Sequence, residues 1–217
     1  MKHKEISRRE ILKVTGAAGA GLVLGVGPLL GRSSRQSPLI QRPIPSTGEK
    51  IPIVGIGTAR RYSVGTSSEE RAPLKEVLKN FAEMGGKVVD TAPSYGTAET
   101  VVGDLTAELK NRKKLFLATK VRKNDLKSGK SELKASFKKL RTEKIDLIQV
   151  HNLVGLDLML PVLLEMKKEG RIRYVGVSTS RNRQYPEFIK MMKKDDIDFI
   201  QVNYSLASRT SAETILP

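Results

Sequence analysis

From residue 53 to the C-terminus, short apolar runs alternate with amphipathic stretches. The apolar runs fall at 53–57, 87–89, 115–119, 145–150, 172–177 and 198–202, each of strand length. Helical patterns lie between them, at about 69–84, 97–110, 128–140, 156–169 and 184–193. In the first helix Leu74, Val77, Leu78 and Phe81 recur at i, i+3, i+4 and i+7, which predicts one apolar stripe. Gly85 and Gly86 end that helix, and Gly170 ends the fourth before the run Ile172 to Val177. Ahead of this alternation, residues 40–53, with Pro43, Pro45 and the Thr47-Gly48 turn, predict a short hairpin.

Repeated strand–helix units with buried β-branched strands imply a parallel sheet covered by helices. An open doubly wound sheet and a (β/α)8 TIM barrel both meet that description. No glycine-rich phosphate loop follows Ile53-Val54-Gly55-Ile56-Gly57, which disfavours the nucleotide-binding open sheet. Polar residues recur at strand ends instead: Thr58, Asp90, Lys120, His151, Ser178 and Gln201. Barrel enzymes place their chemistry at that rim. The strand count is six where a closed barrel has eight, and roughly 180 residues follow the leader and linker where a barrel takes about 250. An incomplete barrel, with about six of eight βα units and a truncated coding sequence, is the simplest expectation. A naturally shortened fold and completion by a partner chain are the alternatives.

Residues 1–31 read as a targeting segment, 32–39 as a polar linker and 40–217 as the partial barrel domain. Ser7-Arg8-Arg9-Glu10-Ile11-Leu12-Lys13 followed by a Gly/Ala/Val/Leu stretch resembles a twin-arginine signal, with Ile11 where the pattern usually has Phe. The expected partner is the twin-arginine export machinery. The expected location is the periplasm or the outer face of the cytoplasmic membrane, with the cytoplasm as the alternative. No small-x-small cleavage site stands out near Gly31 to Ser37, so retention as an anchor is open, and membrane contact is expected through this segment alone. Gly16-Ala17-Ala18-Gly19-Ala20-Gly21 imitates a dinucleotide-binding loop but follows a basic leader rather than a strand.

The formal net charge of +16 raises the question of nucleic acid. Part of the excess lies in the leader, and the rest sits on predicted helix faces such as Lys134, Lys138, Lys139, Lys190, Lys193 and Lys194. A solvated basic face explains this pattern without a nucleic-acid partner. The chain has no cysteine, which removes disulfide and thiol chemistry, and His3 and His151 are too few for a histidine metal site.

Val88-Val89-Asp90 ends in a carboxylate and is followed by Thr91-Ala92-Pro93-Ser94-Tyr95-Gly96. Together with Lys120 and His151 at later strand ends, Asp90 and Tyr95 make one candidate proton-transfer site. Asp90 alone suits an Asx turn, and each of the others alone has a structural explanation. In this order the motifs resemble the aldo-keto reductase family. The resemblance runs through Gly55-Ile56-Gly57-Thr58, the Asp90–Gly96 segment with Glu99 and Gly103, Ala118-Thr119-Lys120-Val121, Ile145 to Asn152, Gly170 to Ser178, and Gln201-Val202-Asn203-Tyr204-Ser205.

The resemblance implies a reductase of small aldehydes or ketones that draws hydride from NADP(H) and acts as a monomer when complete. Tyr95 would donate the proton, and Lys120, paired with Asp90, would ease its release by stabilising the phenolate. His151 would bind the substrate carbonyl, with Asn152 beside it. Gly57, Thr58, Asp90, Ser178 and Gln201 would line the cofactor site. Thr179 stands where the family often has Asn. The segments by which the family stacks on nicotinamide and grips the adenosine phosphate lie on its last two βα units, so residues 1–217 alone are expected to bind cofactor weakly or not at all. An inactive fragment, or a non-catalytic binding protein on the same scaffold, is the alternative function.

Overall fold

The computed structural model describes residues 39–193 and 196–217. The expected leader and most of the expected linker lie outside those residues, as does Lys194. Among the described residues, six parallel strands line up in the order of the chain: β3 (Gly55–Gly57), β4 (Val88–Asp90), β5 (Phe116–Val121), β6 (Ile145–His151), β7 (Ile172–Thr179) and β8 (Phe199–Val202). A doubly wound sheet reverses its strand order at a switch point, whereas a barrel wall never does. The unbroken order therefore decides between the two candidate architectures in favour of six consecutive units of a (β/α)8 barrel. Helices α1 (Ser68–Glu83), α2 (Ala98–Glu108), α3 (Leu126–Lys139), α4 (Leu156–Lys168) and α5 (Tyr185–Met192) make the crossovers, and a short α6 (Thr210–Thr214) follows β8.

Local chemistry sets the helix ends. The Ser67 hydroxyl accepts the Glu70 N–H at the start of α1, and Asp125 accepts the Ser128 N–H at 2.8 Å at the start of α3. That second cap moves α3 two residues upstream of its predicted start. Gly85 and Gly170 take positive φ just past α1 and α4, the left-handed turn that lets each chain fold back to its next strand. Within the predicted stripe of α1, Leu78 is fully buried but Val77 faces solvent, so the apolar face is narrower than its spacing suggests.

Strand alternation divides the interior into two layers. Outward-facing residues such as Leu117, Ile148, Val150, Val175 and Val177 join Val101, Leu105, Leu133, Met159, Leu163 and Phe188 of the helices in the main core. Inward-facing residues at the start of each strand make a smaller core from Phe116, Ala118, Leu147 and Tyr174, with Val88 and Phe199 against it. The Phe116, Tyr174 and Phe199 rings meet with centroids 5.4–5.8 Å apart.

The hairpin β1 (Gln41–Pro43) and β2 (Lys50–Pro52) covers this lower layer. Ile44 inserts into the inner core, Thr47 Oγ1 lies 2.9 Å from the Tyr174 hydroxyl, and Glu49 accepts hydrogen bonds from Tyr174 and Arg173. Asp146 bonds Arg112 at 2.9 Å, Arg173 at 2.7 Å and the Leu117 N–H at 2.9 Å, tying β5, β6 and β7 together at the same end. Apolar rings and ion pairs thus close that end, and the polar inward-facing residues lie at the C-terminal ends of the strands. Strands β5 to β7 are almost wholly buried, while β3 and β8 at the two margins of the sheet are partly open. Among the described residues, no helix is long and apolar enough to cross a membrane.

Candidate active site

The period-two rule carries the inner face upward from aromatic to polar. On β5 the inward sequence is Phe116, Ala118, Lys120; on β6 it is Leu147, Gln149, His151; on β7 it is Tyr174, Gly176, Ser178. Register aligns the tops: His151 pairs with Ser178, Ser178 with Gln201, and Lys120 with Gln149. Asp90 ends β4 opposite Gly57 and Ala118.

Lys120 is 1% exposed and fully bonded. Its Nζ donates to Asp90 Oδ1 and Oδ2, both at 2.7 Å, and to the Thr91 carbonyl at 3.0 Å. Burial lowers its pKa, and the charge and hydrogen bonds of Asp90, with the field of Glu99, pull in the opposite direction. Glu99 lies behind the strand, where its Oε1 accepts from the Thr119 hydroxyl at 2.7 Å.

Tyr95 stands on the loop after β4, held by its N–H bonding the Ala92 carbonyl at 3.0 Å. The Lys120 ammonium is 5.2 Å from its ring centroid. Burial, then the Asp90 charge, raises the phenol pKa. This differs from the expectation that Lys120 eases phenol ionisation. The ammonium's three N–H bonds are spent on Asp90 and Thr91, and the same carboxylate that holds the lysine repels a phenolate.

His151 Nδ1 lies 2.8 Å from Ser178 Oγ, and its Nε2 is 3.5 Å from Asn152 Nδ2. Burial first, then the positive charges of Lys120, Arg122 and Arg181, bring its pKa down to about 4 against the opposing field of Asp90, so the ring is neutral at pH 7. Ser178, expected to hold a cofactor, is thus bonded to the imidazole.

Asn152, expected beside the substrate, is held by the loop after β7. It is 6% exposed, its Oδ1 accepts from the Ser180 N–H at 2.9 Å and the Ser180 hydroxyl at 3.2 Å, and its carbonyl accepts from Gln184 Nε2 at 2.8 Å. Its positive φ of 54° turns the chain at the end of β6. Asn152 therefore pins the loop after β7, and it lines neither of the cavities at Lys120 and His151.

Two cavities meet at Lys120 and His151. One, of about 260 Å3, is lined by Ala92, Pro93, Ser94, Arg122 and Lys123 among others. The second, of about 190 Å3, has Tyr95, Ser178, Thr179, Gln201 and Asn203 in its wall. A larger one, of about 620 Å3, lies between α3 and α4 and shares no lining residue with these two. Gly57 is open: a Cβ there would touch nothing within 4 Å. Thr58 is buried, and both its N–H and its hydroxyl donate to the Asp90 carbonyl at 3.0 Å, so it steadies the strand end that carries the carboxylate. Thr179 borders the second cavity, but its hydroxyl is spent on Gln184 Oε1, to which it donates at 2.6 Å.

Gln149 was not among the residues picked out from sequence. Its Nε2 donates to Gln201 Oε1 at 3.2 Å, and its own Oε1 is buried without a partner. Its position two residues before His151 on the same strand was the available signal. A pair of side-chain amides with one unpartnered acceptor, beside the second cavity, suits a planar ligand amide that offers N–H donors.

Residues 54–217 match the aldo/keto reductase family. The chain is 30% identical over 193 residues to the aldo-keto reductase YhdN of Bacillus subtilis, covering 80% of this chain and 56% of that protein. It is 32% identical over 164 residues to the methylglyoxal reductase DkgB of Salmonella typhimurium, covering 71% and 58%. The chain thus spans a little over half the length of these curated relatives. Among solved structures, an aldo-keto reductase from Klebsiella pneumoniae in complex with NADPH superposes with a TM-score of 0.66 at 26% identity, over 78% of this chain and 60% of that one. A thermostable aldo-keto reductase bound to the inhibitor epalrestat gives 0.67 at 28% identity, over 81% and 66%. The parallel order of the strands, the grouping of Asp90, Tyr95, Lys120 and His151 at their C-terminal ends, and the match across residues 54–217 place this chain in the aldo/keto reductase family.

Proposed function

We propose that the protein is an NADP(H)-dependent reductase of small aldehydes or ketones, with Tyr95 as proton donor. The observation that carries this reading is the buried Lys120–Asp90 pair beneath the Tyr95 ring, with a neutral His151 on the other wall of the same opening. A binding module has no need to bury an ammonium at the mouth of a cavity, since desolvating it costs several kcal/mol before its partner offsets the loss.

When bound, a reduced nicotinamide supplies the hydride that no side chain can supply. Gln149 and Gln201 fit its carboxamide, because their one mutual bond leaves an acceptor and a donor free. Gly57 leaves room beside Asp90. In the tautomer in which the Ser178 hydroxyl donates to Nδ1, His151 carries its proton on Nε2 and can present it to the substrate oxygen. That bond orients the carbonyl without transferring charge, since the ring stays neutral. The raised pKa of Tyr95 keeps the phenol protonated through the neutral range, and the proton passes to the oxygen as negative charge develops there.

The test is NADPH consumption with a panel of small aldehydes by the full-length protein and its Tyr95→Phe variant. Loss of turnover with retained NADPH binding supports the reading; turnover by the variant overturns it. Binding of both compounds without turnover by the unaltered protein would favour the non-catalytic scaffold. The Ser7–Lys13 pattern supports export by the twin-arginine route, and replacing Arg8 and Arg9 by lysine should retain the protein in the cytoplasm.

A further inference from the structure

The two cavities at Lys120 and His151 contain no carboxylate that is free to meet a cation. Both oxygens of Asp90 are held by Lys120. Glu132, which lines the first cavity, accepts the Arg122 main-chain N–H at 2.8 Å and pairs with Lys123 at 3.4 Å. The guanidinium of Arg122 has no hydrogen-bond or ion-pair partner among the described residues, although the residue lines that cavity together with Lys120 and His151. Arg122 sits two positions past Lys120, immediately after the last residue of β5. Across the opening, on the loop after β7, the Arg181 guanidinium likewise has no partner among the described residues, its bonds there being made by its main chain. The charges of both arginines reach the imidazole, since both count among the causes that depress its pKa.

Resting on the reductase reading above, we propose that the site takes carbonyl substrates that carry a carboxylate, and that Arg122 is the specificity-determining residue that receives it. A guanidinium presents a planar fork of donors matched to two carboxylate oxygens. A substrate carbonyl held by His151 leaves the rest of a small molecule in the first cavity, where Arg122 forms part of the wall. A neutral substrate would leave the guanidinium hydrated at no cost, so the preference arises from attraction rather than exclusion. Because Arg122 is exposed, the gain is that of a solvent-screened pair, roughly fivefold, and it falls with added salt.

The experiment compares para-carboxybenzaldehyde with its neutral counterpart, methyl para-formylbenzoate, in the full-length protein and its Arg122→Gln variant. Arg122 bonds its neighbours only through the main chain, so the variant is expected to fold, and its circular dichroism checks this. The expected result is a kcat/KM for the acid that exceeds that for the ester, and an Arg122→Gln change that lowers the acid's value about fivefold while moving the ester's by less than twofold. Equal effects on the two compounds, or no preference in the unaltered protein, would overturn the proposal. Calorimetric binding of the same pair separates this inference from the reductase reading. An acid that binds no more tightly than the ester, absence of binding included, sinks the carboxylate preference whatever the turnover. Discrimination in binding without NADPH consumption sinks the reductase reading and leaves the preference standing.

Discussion

Lys120 and Asp90 form a chelate: both carboxylate oxygens stand 2.7 Å from one buried ammonium, and the Thr91 carbonyl takes its remaining N–H. No N–H is left to bond the phenol of Tyr95, so any influence of Lys120 on that group acts through space across the ring face.

Removing one member of this pair strands the other. Asp90→Asn leaves an ammonium in a site that already disfavours its charge, and Lys120→Met leaves a partly buried carboxylate. Each single substitution should cost about 3 kcal/mol of folding stability, and the double substitution much less than their sum. Urea unfolding of the four proteins checks this; strictly additive losses would argue against the pair as a unit.

The Tyr95 hydroxyl makes no hydrogen bond to another described residue, and its ring packs against the main core. Tyr95→Phe should therefore shift stability by less than about 0.5 kcal/mol. If the phenol is the proton donor, carbonyl reduction should fall by at least about 100-fold in the same protein. Unfolding and steady-state rates measured on one preparation separate the two effects.

The depressed pKa of His151 makes a pH prediction with a definite sign. In the unfolded chain the imidazole titrates near 6.5, and in the folded protein near 4. Between those values the unfolded state binds the extra proton, so the contribution is fully present above about pH 6.5 and is lost as pH falls through 4. The ring is only half-buried, which reduces the size of the effect but not its direction. Melting temperatures from pH 7 to pH 4 should fall less steeply for His151→Gln than for the unaltered protein; parallel curves would refute the assignment.

Two glycines predict opposite outcomes. A Cβ at Gly103 would stand 2.0 Å from the Lys139 carbonyl oxygen and 2.8 Å from Leu140 Cα, so α2 could not keep its approach to the end of α3. Gly103→Ala should cost about 3 kcal/mol or more, read by chemical denaturation. Gly57→Ala meets nothing within 4 Å and should leave stability unchanged. If a cofactor lies beside Asp90, the added methyl should weaken NADPH binding, which a fluorescence titration would detect.

The alternation of apolar and polar residues was enough to locate every strand and helix of the barrel wall to within about two residues. It also placed Lys120, His151, Ser178 and Gln201 at strand ends, because a period of two depends on neither register nor packing. Strand order was beyond its reach: the same runs suit a doubly wound sheet, and hydrogen bonding between distant strands chose the barrel. The partners of each polar group were equally hidden. Asn152 looked like a neighbour for substrate, yet its Oδ1 is taken by Ser180, 28 positions away along the chain. Gln149 read as one more residue of a buried strand until Gln201, 52 positions away, came within 3.2 Å of it. The pairing of Lys120 with Asp90 was legible in the sequence, but not that Asp90 and the Thr91 carbonyl together take all three of its N–H bonds. Residue type and periodicity set which groups face the opening; which hydrogen bonds those groups have left to offer is a long-range property, settled when the folded chain brings their competitors within reach.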